Sequence, residues 1–371
     1  MRFKKILILF LSWRAVLFLT AFFATLLIPF KSSFPYYDSE LISTHLPEWI
    51  WGFGNFDGVH YLRIARNLYS SDFTQAFFPL YPLAVKFLTW GNNFFITGLI
   101  LSNLLTLGFL GAFYKLLEID YSEKISWRTL IFTLAFPTAF FLGAVYSESL
   151  FLILVVVSLI FLRREKFLLS GFFAALASAA RVFGFILFPI LLLELYLSFK
   201  REKKISLSNI LGVLIAPLGG ILYMIYLKIN FNDALYFLNS QPHFGASRSA
   251  SLVTLPQVIY RYIKIFLTVP VGSEQYITAA LELLFTVLFA GLLVYSFKKV
   301  RWSYWLFSLG CFILPTLTGT LSSMPRYSLC GFLLFPALLE RLGKNYKLAI
   351  IILAVFELVL TGLYVRGYFI A

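Results

Sequence analysis

The stretch ILILFLSWRAVLFLTAFFATLLIPF, Ile6 to Phe30, carries a single charge, Arg14. A helix needs ~20 apolar residues to cross the hydrocarbon of a bilayer. This run is too long for the apolar centre of a secretory leader and lacks a small-residue cleavage pattern, so it reads as a retained first span. The rest of the chain has the same character. Of its 371 residues, 60% are hydrophobic and 13% charged, against about 25% charged in an ordinary soluble domain. Mean hydropathy is +0.86, and 43 of the residues are Phe. A water-soluble chain of this size cannot hide that much apolar surface. A soluble enzyme, a disordered tail and a disulfide scaffold are excluded, which leaves an all-α, multi-pass integral membrane protein. Cys311 and Cys330 lie in apolar runs and form no disulfide framework.

Working outward from the first run, stretches bounded by charges predict further crossings. They fall at 94–117, 127–146, 148–162, 167–180, 182–199, 206–228, 276–297, 301–319, 327–340 and 347–368, making eleven in all. The stretch 77–90 is short and proline-rich and is expected to lie at the interface or re-enter. The basic residues set the orientation. With the amino terminus in the cytoplasm, short inner connections collect Arg2, Lys4, Lys5, Lys115, Lys124, Arg128, Arg163, Arg164, Lys166, Lys200, Arg201, Lys203, Lys204, Lys298, Lys299, Arg301, Arg341, Lys344 and Lys347. The net charge of +14 is spread over these clusters rather than along a nucleic-acid-binding surface. His45, His60 and His243 then lie outside, with two long outer loops at 31–93 and 229–275. The chain reads as one membrane domain over 1–371, working on its outer face. Compact loops and missing Asn-x-Ser/Thr sites favour a prokaryotic plasma membrane.

The first outer loop contains Trp51-Gly-Phe-Gly-Asn55-Phe-Asp57-Gly-Val-His60-Tyr61-Leu-Arg63-Ile64. Two glycines mark irregular backbone, and Asn55 or Asp57 is placed to cap the helix that follows. Helical spacing sets Asp57, His60, Tyr61 and Ile64 on one face. Phe77-Phe-Pro79-Leu-Tyr-Pro82-Leu83 follows as a rigid aromatic turn. Segment 254–268 reads as an amphipathic surface helix, either roofing a cavity or serving as an interfacial anchor. Arg14 is expected to snorkel toward the inner surface. Asp38, Asp57 and Asp72 are scattered and no Asp-x-Asp pair occurs, so neither a metal site nor a cofactor is expected.

The run Phe56-Asp57-Gly58-Val59-His60-Tyr61-Leu62-Arg63-Ile64-Ala65, followed by Phe77-Phe78-Pro79-Leu80-Tyr81-Pro82, resembles the PIG-V-like mannosyltransferases of the GT-C superfamily. Phe136-Pro137 to Tyr146-Ser147-Glu148, Ala180-Arg181 to Gly184, and Ser323-Met-Pro-Arg326-Tyr327 are similar in the same order. The chain departs from that pattern at Phe56-Asp57, where the family often has Trp-Asp. The resemblance implies a GT-C-type helical bundle with interfacial helices in its outer loops. It also implies a polyprenyl-phosphate sugar donor, a lipid or glycan acceptor and transfer with inversion. Asp57 would be the base that takes the acceptor's proton. Arg181 and Arg326 would hold the departing lipid phosphate. Both stand at the outer ends of spans of only 14 residues, 167–180 and 327–340, which could sink those ends by roughly 9 Å. His60, Tyr61, Glu148 and Tyr327 would line the pocket. Glu148 can equally be a helix-start carboxylate, and His60 a structural histidine. A lipid-linked sugar flippase and a non-catalytic subunit of a glycan-assembly complex are the rival readings.

Overall fold

A computed structural model describes residues 2–70, 73–203, 205–244, 248–249 and 251–370; Asp72 and Lys204 lie outside them. Secondary structure among these residues is helical apart from one isolated bridge, Val253 to Thr318. Among the described residues, five helices are long and apolar enough to cross a bilayer: Arg2–Leu27, Phe94–Asp120, Val182–Arg201, Glu274–Ser296 and the run Met324–Val365. Leu207–Ile215 and Leu218–Phe231 make a sixth if joined. They bend by 44° across Ala216-Pro217, where Pro217 lacks the N–H the ladder needs. Large apolar side chains on the outer stripes are exposed, among them Ile8, Leu11, Leu19, Leu26, Ile351, Val355 and Val359. Such stripes face lipid in a multi-pass membrane protein.

These five or six are fewer than the eleven crossings expected, and several of the expected spans are short or broken. The expected span 127–146 is a helix only over Glu123–Leu134. Pro137 disfavours helical geometry at Phe136, and a 3-10 turn at Ala139–Gly143 follows. The expected span 327–340 begins as a short turn, Met324–Tyr327, tightens to 3-10 over Ser328–Leu334 and becomes α-helical at Phe335–Leu342. Non-helical backbone at membrane depth is tolerated where it is enclosed by protein or lines a cavity. Both stretches are buried and end beside the site described below.

Small residues let the helices approach closely. Phe167–Ala180 crosses Leu207–Ile215 at Gly171 and Gly212, and a Cβ on Gly171 would overlap the Gly212 carbonyl. Ser158 and Ser170 join the neighbouring pair of helices through their hydroxyls, 3.1 Å apart. Gly171→Ala is therefore expected to destabilise the protein by about 1–3 kcal/mol, through overpacking against backbone that cannot rotate away. Thermal unfolding in detergent measures this, and an unchanged midpoint would contradict the close crossing.

The short basic connections meet at one end of the bundle. Arg2 pairs with Glu118 at 2.6 Å, Arg163 with Asp120 at 2.5 Å, and Tyr304 donates to Asp120 at 2.7 Å. At the opposite end the 31–93 segment folds over the helix termini. Arg366 pairs with Glu48, and Lys31 with Glu274. Its own core joins Leu41, Val59, Leu62, Tyr81 and Val85 to Phe95 and Val145. The 77–90 stretch holds a nine-residue helix, Leu80–Leu88, too short to cross. Leu255–Thr268 forms a helix that buries Val258 and Tyr262 and exposes Tyr260, Ile263 and Leu267.

Arg14 does not snorkel. It is 5% exposed, with its guanidinium 4.1 Å from the rings of both Phe18 and Phe53. Phe53 descends from the long loop, so the cation is caged between aromatic faces instead of reaching water.

Candidate active site

The site starts from the turn at Trp51–Asp57. Gly52 lies against the last helix, where a Cβ would come within 2.8 Å of the Val365 Cβ and 2.9 Å of its carbonyl oxygen. Phe56 is held at φ 55°, ψ −115°, sparsely populated for a residue with a side chain. The Phe34 ring, 4.7 Å away, and those of Tyr364 and Phe369 fix it there. Strain of this kind costs about 1–3 kcal/mol and persists where the surroundings over-determine the backbone.

The two expected caps are employed elsewhere. The Asn55 amide donates to the carbonyls of Tyr364 and Val365, at 2.9 and 3.1 Å. The Asn55 backbone carbonyl accepts from the hydroxyls of Tyr146 and Tyr364, at 2.9 and 3.0 Å. Asp57 is the first residue of the helix Asp57–Asn67, and no side chain caps that helix. Its N–H donates to the Tyr146 hydroxyl at 3.1 Å, and its carboxylate turns away from the helix. There it accepts from Arg326 Nη1 at 2.6 Å. Pairing with a buried cation is a stronger attraction than a cap at an exposed helix end.

The polar side chains form a closed circuit. Arg326, 7% exposed, touches Asp57 through Nη1, and its Nε lies 3.6 Å from Glu148 Oε1. Glu148 opens the helix Glu148–Arg163 and also pairs with Arg181. Arg181 follows the last residue of Phe167–Ala180 in extended backbone and donates to the Ser147 hydroxyl at 3.2 Å. That hydroxyl is 2.8 Å from the Tyr61 hydroxyl, and Tyr61 sits one turn after Asp57 on the same helix. Four distant segments are thereby tied together by charge, with two carboxylates facing two guanidiniums.

A cleft of about 210 Å³ opens beside this circuit. Asp57, Tyr61, Arg181, Arg326 and Tyr327 contribute to its polar wall, and Phe77, Phe78, Phe183, Phe237 and Phe244 to its apolar wall. The Asp57 side chain retains 30% exposure toward it. Glu148 is set deeper, in a small adjoining hollow with Arg181 and Arg326. His60 is not among the lining residues. Its ring stacks on Phe77 at 5.1 Å and meets Phe244 edge-on at 5.2 Å. Burial pushes its imidazole down to about 4, with Arg63 acting the same way and Asp57 opposing, so it is neutral near pH 7. Burial by itself would raise the Asp57 carboxyl. The Arg326 guanidinium outweighs it by charge and hydrogen bond, aided by Arg248 and, only once its ring is protonated at low pH, by His60, and the carboxyl titrates below its ordinary range.

Arg248, Ser147, Tyr146 and Tyr364 belong to this surround and were not singled out from the sequence. Tyr146 and Ser147 adjoin Glu148 in a stretch already marked, so their signal was position alone. Arg248 stands in the second long loop without a motif. Among the described residues, no three His, Cys, Asp or Glu side chains are gathered as a metal would require.

The family model for Mannosyltransferase (PIG-V) matches residues 3–310. Asp57, Glu148 and Arg181 fall inside that stretch and Arg326 beyond it. GPI mannosyltransferase 2 of Drosophila pseudoobscura pseudoobscura is 28% identical over 130 residues, covering 32% of this chain and 28% of that protein. The protein of the same name from Drosophila melanogaster is 28% identical over 112 residues, covering 27% and 25%. The matched stretch spans about a quarter of the length of these curated relatives.

Proposed function

The chain belongs to the PIG-V mannosyltransferase family, and from that premise we propose that it moves mannose from a polyprenyl-phosphate carrier to an acceptor hydroxyl, with inversion. One observation carries this reading: a carboxylate, Asp57, faces an aromatic-walled cleft while paired with a buried arginine. The apolar wall suits a lipid carrier, and the arginines suit its phosphate.

In the reaction the acceptor oxygen attacks the anomeric carbon from the side opposite the phosphate. The new C–O bond forms as the bond to the phosphate oxygen breaks, and the electron pair leaves with the lipid phosphate. The acceptor's proton passes to Asp57. Resting Asp57 is a poor base, because Arg326 holds it ionised and weakly basic. A phosphate arriving at Arg326 competes for that cation. The carboxylate regains basicity when the donor is seated. Tyr61 and Tyr327 supply hydroxyls to the pocket wall, and His60 backs it as a neutral ring.

The helical order supports a GT-C-type bundle of about eleven crossings, several short or broken. Gathering of the basic connections at one end supports a cytoplasmic amino terminus and a cleft open to the other face. Compact loops support a prokaryotic plasma membrane. Purified protein, radiolabelled polyprenyl-phosphate-mannose and a membrane lipid extract test the proposal. Label transferred to an acceptor is expected. Lipid movement without transfer would make the protein a flippase, and neither outcome would leave a non-catalytic subunit.

A further inference from the structure

We propose that Arg248 is the cleft's first contact for the donor phosphate, a role resting on the donor reading above. The cleft is bordered by three guanidiniums, those of Arg181, Arg248 and Arg326. Two of them are already neutralised: Arg326 by Asp57 and Glu148, and Arg181 by Glu148. An anion can take either only by displacing a carboxylate, and a buried charge stripped of its partner is costly.

Arg248 is held differently. Its Nη1 donates to Gln241 Oε1 at 2.9 Å and its Nη2 to Ser323 Oγ at 3.1 Å, and both acceptors are neutral. These bonds fix the direction of the guanidinium without cancelling its charge. The nearby buried carboxylate of Glu282 already accepts from the Tyr262 hydroxyl. Among the described residues no carboxylate lies within ion-pairing distance of Arg248, so its guanidinium is open to the single negative charge of a glycosyl phosphodiester.

Its anchors place Arg248 between the apolar wall of the cleft and the turn that carries Arg326. Gln241 opens the turn Gln241–Phe244, whose Phe244 forms part of the apolar wall. Ser323 sits at φ 65° immediately before the turn that presents Arg326. A phosphate received by Arg248 therefore arrives beside Arg326 and can be shared with it. This ordering explains how a donor reaches a site whose other cations are occupied.

Binding of polyprenyl phosphate alone, followed by intrinsic tryptophan fluorescence in detergent, tests Arg248 apart from transfer. Arg248→Gln is expected to weaken binding about 10- to 100-fold, and to raise the KM for polyprenyl-phosphate-mannose in parallel while turnover at saturation changes far less. Wild-type affinity in that variant would overturn the assignment. Where Arg248→Gln fails to fold, Arg248→Lys carries the test. An ammonium lacks the paired donors of a guanidinium, so three- to tenfold weaker binding is expected and unchanged binding overturns the role. Arg248-dependent binding in a wild-type protein that transfers no sugar would sustain Arg248 and sink the transferase reading. Transfer by wild type with an indifferent Arg248 would do the reverse.

Discussion

Asp57→Asn is expected to lower turnover about 10²- to 10⁴-fold, the range that a positioned general base contributes. The amide is nearly the same size and can still accept from Arg326 through its oxygen, so the turn and cleft should persist. What it cannot do is take a proton from the acceptor. Donor binding should be retained, because Arg326 loses a charged competitor and becomes freer to hold phosphate. The measurement is initial-rate transfer at saturating donor alongside direct binding of the donor lipid. Turnover within tenfold of wild type would remove Asp57 as the base.

Arg326→Gln should be as damaging for a different reason. Arg326 is the shared partner of Asp57 and Glu148 and is almost fully buried. Its loss leaves two carboxylates near one another with Arg181 alone between them and the apolar core. Breaking a buried pair from one side costs about 3–5 kcal/mol. A lowered unfolding midpoint is expected together with loss of transfer. Two readouts separate the roles. In Arg326→Gln with Asp57→Asn, stability should partly recover, because the stranded charge is gone, while transfer should not. Full stability of Arg326→Gln alone would show that the ion pair is dispensable to the fold.

Some of this architecture was legible in the residues and some was not. Apolar runs bounded by charges mark where helices lie, because hydrocarbon length is a strict criterion, and Phe167–Ala180 has the expected bounds. They do not reveal where a helix unwinds. Ser328–Leu334 is as apolar as its neighbours, and its geometry depends on what packs around it, whereas Pro137 is a local breaker that apolarity alone overlooks. Asp57, Glu148, Arg181 and Arg326 could each be marked as charges near span ends. Their mutual pairing could not, since it joins positions up to 269 residues apart. The cap expected of Asn55 or Asp57 failed because the local rule ignores Arg326 and the backbone of Tyr364 and Val365. The surround of Arg14 is hidden for a similar reason: nothing near it in sequence reports that Phe53 folds onto it. His60 shares a helix face with Asp57, yet Phe77 and Phe244 enclose it behind the wall.

The central claim is that Asp57 is held by Arg326 until the donor arrives and then takes the acceptor's proton. The pH dependence of transfer tests it most directly, because kcat/KM for the donor reports the free enzyme and kcat the loaded one. In the free protein the folded pKa is depressed by the Arg326 guanidinium, so Asp57 stays ionised until the pH falls below the ordinary carboxylate range. The acid limb of kcat should therefore lie at higher pH than that of kcat/KM, and should vanish from the residual activity of Asp57→Asn. Coincident limbs in the wild type, or an acid limb of kcat that survives in Asp57→Asn, would contradict the account.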